Sequence, residues 1–174
     1  MPRLIHLNGP TGVGKSTLSA RYAAEHPKTL NLDADEIVRL VGGWHDDFFG
    51  AVELVRPLAI AMAATHLATG HDVVMPQLVT VREQSAKFAE AAAAAGAEYV
   101  EVVLLAPPET TIDRFRHRAH HIDDTVEALG GETLIRRIHR HLAAYLTPAS
   151  VVLDTTGATV EQTYDTLIAT LAGR

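Results

Sequence analysis

The feature that most constrains this chain lies at its beginning, in residues 4–18. Residues 4–7 read Leu-Ile-His-Leu, which predicts a buried strand, and residues 9–16 read Gly-Pro-Thr-Gly-Val-Gly-Lys-Ser. This is the pattern G-x-x-x-x-G-K-[ST], and the residues after it predict a helix. A strand, a glycine-rich loop and a helix in this order are typical of a phosphate-binding loop. The sequence therefore predicts that the chain binds a nucleoside triphosphate.

The residue types in this loop explain the prediction. Glycines at positions 9, 12 and 14 let the backbone turn its N–H groups toward an anion, which the positive end of the next helix also attracts. Lys15 supplies a positive charge for the β- and γ-phosphates, and the Ser16 hydroxyl is a suitable oxygen ligand for Mg²⁺. We expect ATP to be held by Gly9, Thr11, Gly12, Val13, Gly14, Lys15, Ser16 and Thr17.

Composition limits the class of protein. A chain of 174 residues suits a single domain spanning residues 1–174. Its net charge of −6 makes nucleic acid an improbable partner, because no broad positive surface is expected. The absence of cysteine is compatible with a reducing compartment, no basic leader segment is recognised, and the apolar segment at residues 54–67 is too short to cross a bilayer. We expect a cytoplasmic protein with no membrane partner.

Strand and helix patterns alternate along the whole chain. Short apolar runs near residues 4–7, 28–32, 72–75, 99–105 and 151–153 predict strands, and helical patterns separate them. This alternation predicts an α/β fold, a three-layer arrangement with a five-stranded parallel sheet and helices on both faces. In such sheets, ligands bind beyond the carboxyl ends of the strands. Polar residues at those ends are therefore the candidates for a site.

Two acids follow the second predicted strand. Asp33 and Asp35 are two residues apart, so both side chains could lean toward the phosphates. Phosphoryl transfer needs a carboxylate in the Mg²⁺ shell and another that orients or deprotonates the attacking hydroxyl. We assign Asp33 with Ser16 to the metal and Asp35 to the acceptor, although which acid is the base stays open. The alternative is that Asp35 only caps the next helix.

Basic residues define a possible lid over the phosphates, at residues 116–131. Arg114 and Arg118 are four residues apart on a predicted helix and so share a face. Prolines before this helix and glycines after the polar segment suit a short mobile lid. Arg137, on the next helix, could contribute from the far side. The histidines at positions 117, 120 and 121 lack carboxylates at ligand spacing, so a zinc site is disfavoured.

The acceptor side of the site is less well defined. Arg39 could hold an anionic acceptor or simply be solvated, and Gln77 follows the third predicted strand. Trp44 and Phe48 lie in an aromatic loop that could form the wall of an acceptor pocket or could pack beneath that loop.

These residues resemble the P-loop small-molecule kinases, including adenylate, shikimate and gluconate kinases and antibiotic-modifying relatives such as chloramphenicol phosphotransferase and tunicamycin-resistance proteins. The sequence Asp33-Ala34-Asp35 is similar to the D-x-D of shikimate kinase, and residues 113–121 resemble a lid entrance. The resemblance implies that Arg114 lies against adenine and that Arg118 and Arg137 meet phosphate. Met75-Pro76-Gln77 departs from adenylate kinase, where an acidic residue and a glycine are expected.

The sequence thus predicts an ATP- and Mg²⁺-dependent phosphotransferase that acts on a hydroxyl of a small molecule. The acceptor would be an antibiotic, another natural product or a sugar acid, and the protein a monomer or homodimer. Lys15, Asp35, Arg114, Arg118 and Arg137 are the expected catalytic residues. Two alternatives remain: a kinase acting on nucleotides or on polynucleotide 5′ ends, and a P-loop protein that binds nucleotide without catalysis.

Overall fold

A computed structural model of the chain describes residues 1–117 and 123–174. Within this part, five parallel strands form one sheet in the order β2-β3-β1-β4-β5. The strands are β1 (Arg3–Asn8), β2 (Leu30–Asn31), β3 (Val73–Pro76), β4 (Glu98–Leu105) and β5 (Val152–Asp154). The predicted fold is confirmed. Because β1 is central, the loop that follows it lies in the middle of the sheet edge where all carboxyl ends meet.

Helices cover both faces of this sheet. They are α1 (Lys15–Glu25), α2 (Ala34–Val38), α3 (Phe48–Leu67), α4 (Arg82–Ala94), α5 (Pro108–Arg116), α6 (Asp123–Ala128), α7 (Gly131–Tyr145) and α8 (Val160–Ala172). Alternation along β1 explains the two layers. Leu4 packs in a core with α2, α3 and α4, whereas Ile5 and Leu7 pack in a second core with α1 and α8.

Helix α3 begins six residues before the apolar segment at residues 54–67, which alone is expected to be too short to cross a bilayer. It begins at Phe48, because the Asp47 side chain accepts a hydrogen bond from the backbone N–H of Gly50 and caps its first turn. At 20 residues with a mean hydropathy of 1.5, it is the one helix of the described ranges long and apolar enough to span a bilayer. The expectation that it is too short is therefore wrong. Because its residues at positions 51, 55, 59, 63 and 67 are buried in the core, we interpret it as a core helix.

Other boundaries differ by smaller amounts. Strand β2 has only two residues, and α2 ends at Val38. The polar segment predicted as a lid contains the short helix α6, whose Val126 packs against Phe115 and Ile135. Arg118, His120 and His121 lie outside the described residues.

Candidate active site

The glycine-rich loop after β1 forms a turn that other residues could not adopt without strain. Gly9, Gly12 and Gly14 have φ values of 144°, 85° and 104°. A Cβ atom on Gly9 would lie 2.5 Å from the carbonyl oxygen of Leu104, so the loop also packs tightly against β4. Gly14 precedes α1, whose first turn receives no hydrogen bond from an N-cap side chain. The loop and helix end therefore have the form of an anion site.

Lys15 lies over this loop. Its Nζ atom donates hydrogen bonds to the backbone oxygens of Gly9 at 2.9 Å and Pro10 at 3.0 Å. The ammonium group is thus held at the mouth of the turn, where it adds positive charge to the backbone dipoles.

Ser16 and Asp33 are brought together across the site. The Ser16 hydroxyl donates to Oδ2 of Asp33 at 3.1 Å, while Oδ1 of Asp33 accepts from the backbone N–H of Asp35. Asp33 is therefore the N-cap of α2, the role that the sequence left open for Asp35. A hydroxyl beside a carboxylate is the oxygen donor set that Mg²⁺ favours, so these residues fit the metal that accompanies a nucleotide triphosphate.

Asp35 lies in the first turn of α2 and lines a narrow cleft. The space that a water-sized molecule can reach inside the cleft is only about 10 Å³, close to the least that holds one water molecule. Three polar residues contribute to its lining: Asp35, Arg56 from α3 and Gln77 from the loop after β3. Its other walls are apolar and comprise Ala34, Val38, Val52, Val55, Ala59 and Phe88. Apolar walls with a few polar groups have the composition of a small-molecule site, but the walls would have to move apart to admit an acceptor.

The structure separates the remaining residues predicted for the acceptor. Arg39 is exposed and pairs with Glu36 at 3.0 Å, and it lines a second, open depression with Trp44. Trp44 itself is buried in the core, and Phe48 packs partly against the same core. Only Asp35 and Gln77 of the predicted acceptor residues share the narrow cleft.

The predicted basic residues also occupy different places. Arg114 donates to the side-chain and backbone oxygens of Thr155, at 3.0 and 2.9 Å, so it fixes the loop after β5. Arg137 is exposed on α7. Arg118 lies outside the described residues, and its predicted role at the phosphates stays a prediction.

The sequence analysis did not assign two residues of the candidate site, one that lines the cleft and one that precedes the glycine-rich loop. Arg56 is a half-buried cation that has no hydrogen bond or ion pair among the residues that the structure describes. Its signal in the sequence is a charge isolated within a long apolar helix. Asn8 is fully buried directly before the glycine-rich loop, and it carries four hydrogen bonds. A polar residue at the end of an apolar strand was the available signal for Asn8.

Comparison with known families places this site in context. The profile of the family AAA_33, described as an AAA domain, matches residues 4–134. The matched range contains the glycine-rich loop, both acids, Arg56 and Gln77. No curated protein matches the sequence.

Solved structures with a similar fold include two proteins described as kinases and a tunicamycin resistance protein. A candidate kinase from Chloroflexus aurantiacus j-10-fl superposes with a TM-score of 0.71 at 18% identity, over 99% of this chain and 94% of that one. A gluconokinase from Sinorhizobium meliloti 1021 gives 0.66 at 19%, over 98% and 92%. The tunicamycin resistance protein of Deinococcus radiodurans gives 0.63 at 19%, over 98% and 95%. These likenesses establish a P-loop kinase fold.

Proposed function

The chain belongs to the AAA_33 family, and from its kinase fold and its two adjoining sites we propose that it transfers the γ-phosphoryl group of ATP to a hydroxyl of a small molecule. The observation that carries the proposal is the arrangement around α2. Asp33 reaches the Ser16 hydroxyl of the phosphate-binding loop, and Asp35, two residues later, lines the apolar cleft. One short helix thus connects a nucleotide site with an acceptor site.

Each residue then has a distinct task. The loop amides and Lys15 bind the triphosphate, and Ser16 and Asp33 would hold the accompanying Mg²⁺, which would supply charge neutralisation during transfer. The Asp35 carboxylate accepts the proton of the acceptor hydroxyl as that oxygen bonds to phosphorus and the bond to ADP breaks. Arg114 fixes the loop after β5 on the expected adenine side. Arg137 and Arg118 are proposed to neutralise charge once a lid closes.

The test is ATP consumption in the presence of a panel of hydroxyl compounds that includes sugar acids, nucleosides and aminoglycoside-like antibiotics. We expect little turnover until an acceptor is added. Lys15→Ala should abolish turnover, and Asp35→Asn should lower it roughly 100-fold or more while ATP still binds, because a general base is lost. Glu36→Gln is the matched control, since Glu36 is an exposed acid on the same helix turn.

Other outcomes would contradict the proposal. Slow ATP hydrolysis that is indifferent to every acceptor would indicate a nucleotide-binding protein without transferase activity. An Asp35→Asn variant that turns over at the wild-type rate would remove Asp35 from the chemistry.

The cleft further favours an acceptor that carries an anionic group, such as a sugar acid. Arg56 contributes a guanidinium to an otherwise largely apolar lining, opposite in charge to a carboxylate or phosphate. An anionic group on the acceptor could accept a charged hydrogen bond from this guanidinium while its hydroxyl lies near Asp35, the other charged residue of the lining.

We expect Arg56→Gln to raise the KM for an anionic acceptor about 10- to 100-fold, the usual effect of losing one charged hydrogen bond. The KM for the matching neutral alcohol should change little. Arg39→Gln is the control, because Arg39 is exposed and already paired with Glu36. Equal effects of Arg56→Gln on charged and neutral acceptors would contradict a charge-recognition role.

A further inference from the structure

A set of buried polar side chains lies between the phosphate-binding loop and the acceptor cleft, and the proposed chemistry does not use it. Asn8 is its centre, and every hydrogen-bonding position of its amide is occupied. Oδ1 accepts from the backbone N–H groups of Gly9 at 2.8 Å and Val79 at 2.9 Å. Nδ2 donates to the Val79 carbonyl oxygen and to Glu101, both at 2.8 Å.

These bonds join two loops through one side chain. Gly9 is the first residue of the phosphate-binding loop, and Val79 belongs to the segment between β3 and α4. Val79 is bonded to the amide of Asn8 through both its N–H and its carbonyl, as if it were paired with a neighbouring strand. A shift in the backbone at Gly9 must therefore move the Asn8 amide or break its bonds to Val79.

The same segment lines the acceptor cleft, and His6 supports it from behind. The carbonyl of Gln77 can only accept, so Nε2 of His6 carries the hydrogen of their 2.8 Å bond. The His6 ring also packs edge to face on Phe88, with 5.4 Å between the ring centroids. Gln77 and Phe88 are both cleft residues. The segment from Gln77 to Val79 is thus held to β1 at two points. Asn8, beside the phosphate-binding loop, bonds to Val79, and His6, behind the cleft, bonds to Gln77.

Glu101 on β4 fixes the set to the rest of the protein. Its Oε1 atom accepts a hydrogen bond from Nδ2 of Asn8 at 2.8 Å. The Tyr145 hydroxyl of α7 donates to the same carboxylate and lies 2.8 Å from Oε1 and 2.9 Å from Oε2. Tyr145 hydrogen-bonds to Glu101, and its ring and carbonyl also contact Arg82, whereas the hydrogen bonds of the Asn8 side chain go to Gly9, Val79 and Glu101. It is therefore a suitable control, because its removal weakens the anchor and leaves the bonds to Gly9 and Val79 in place.

We propose that Asn8 is a positioning residue that couples nucleotide binding to the conformation of the acceptor cleft. Phosphate fixes the backbone of the loop that begins at Gly9, the Gly9 N–H fixes the Asn8 side chain to which it donates, and Asn8 fixes the backbone at Val79. By reciprocity, an ordered acceptor segment improves nucleotide affinity. This inference rests on one part of the proposed function, namely that the loop binds a nucleotide. It does not depend on which acceptor is phosphorylated.

The experiment measures amide hydrogen exchange at residues 77–81, with and without the probe ATPγS and Mg²⁺, together with the affinity for ATPγS. In the wild-type protein we expect saturation with ATPγS to slow exchange at Val79 about tenfold or more. Asn8→Ala should remove that protection and weaken ATPγS binding about tenfold, the effect of losing the bonds that hold Gly9 in place. Tyr145→Phe should lower thermal stability yet keep both the affinity and the protection.

Several results would overturn the inference. The first is an exchange rate at the Val79 amide of the wild-type protein that stays the same when ATPγS binds. This result would overturn the inference even if Asn8→Ala fails to fold. So would an Asn8→Ala variant that retains full protection, or a Tyr145→Phe variant that loses affinity in proportion to its stability. A wild-type protein that does not bind ATPγS at all would overturn the proposed function as well, which distinguishes the two failures.

Discussion

Two acids that the sequence places side by side have different surroundings in the structure. Asp33 is committed on both oxygens, one to the Ser16 hydroxyl and one to the first turn of α2. Its carboxylate is therefore positioned on the nucleotide side, where a metal ligand is needed. Asp35 instead lines the apolar cleft. The difference supports assigning the metal to Asp33 and the acceptor proton to Asp35.

His6 offers a prediction about stability against pH. Burial lowers the pKa of His6 from its ordinary value of 6.5, against the opposing effect of Glu101, while Lys15 lowers it further. Below about pH 6.5 the unfolded chain binds a proton that the folded protein excludes, so the free energy of unfolding falls by up to about 1.4 kcal/mol per pH unit. Tyr99, whose hydroxyl bonds to Nδ1, does not titrate in this range because burial raises its pKa.

The measurement is urea unfolding of the wild type and of His6→Gln at pH 7.5, 6.5 and 5.5. The variant should be less stable at pH 7.5, and the difference should narrow as the pH falls. His139, whose pKa burial also lowers, is present in both proteins and cancels. Parallel curves for the two proteins would show that His6 accepts its proton freely in the folded state.

Single residues also show how far the sequence could be read. The glycine pattern located the phosphate-binding loop because the pattern itself specifies backbone geometry. The pairing of Ser16 with Asp33 could be expected from strand ends in a parallel sheet. Arg56 could not be assigned, because its place depends on which face of α3 packs against α2. Asn8 could not be assigned either, because its partners lie 71 and 93 residues away along the chain.

At the scale of elements, the phosphate-binding loop and α5 approach each other with almost no free space. A Cβ atom on Gly12 would lie 2.4 Å from the carbonyl oxygen of Thr111 in α5, and the backbone there has φ of 85°. The close approach places α5, the helix that leads into the predicted lid, against the glycine-rich loop. It also explains why a glycine is required for packing as well as for backbone conformation.

We therefore expect Gly12→Ala to destabilise the protein by roughly 3 kcal/mol or more, since a backbone clash adds to the conformational cost. Gly96→Ala is the matched control: it has a φ of 70°, and nothing lies within 4 Å of its added Cβ. That control should cost only about 1 kcal/mol. Chemical denaturation of both variants measures the difference. Equal losses would mean that backbone conformation alone, and no contact with α5, dictates glycine at position 12.

Elements differ in how well their limits could be predicted. Helix α1 (Lys15–Glu25) follows the loop directly, as the sequence predicts, because the loop pattern fixes where it starts. Strand β2 is short because it is an edge strand that pairs only with β3. The start of α3 is set by Asp47, whose side chain caps the first turn. The aromatic residues around Asp47 predicted a loop there, so this cap could not be recognised from the sequence. The short α6 is stabilised by packing of Val126 on α5 and α7, which a polar sequence does not reveal.

At the scale of the whole molecule, the fold was predictable because strands and helices alternate without interruption. That alternation permits few arrangements other than a parallel sheet covered on both faces. The strand order could not be predicted from the residues, since it depends on which strands neighbour β1 in space. The narrow cleft proposed for the acceptor, formed by α2, α3, α4 and the loop after β3, is a property of this packing.

The folded molecule should also gain stability from its nucleotide. A ligand that binds only the folded state adds about 2.7 kcal/mol at a concentration about 100-fold above its Kd. For a domain of this size, that corresponds to a rise in Tm of roughly 5–10 °C. We expect ATP with Mg²⁺ to produce this shift and AMP, which lacks the β- and γ-phosphates, to produce much less. Thermal unfolding followed by circular dichroism measures both.

Two lysine variants assign the shift to the phosphate-binding loop. Lys15→Ala should lose most of the ATP-dependent rise, because the ammonium at the mouth of the loop is removed. Lys87→Ala, which removes an exposed lysine from α4, should keep it. A Lys15→Ala protein that ATP stabilises as strongly as the wild type would place the nucleotide elsewhere. The link between the loop, α2 and the acceptor cleft would then have no bearing on catalysis.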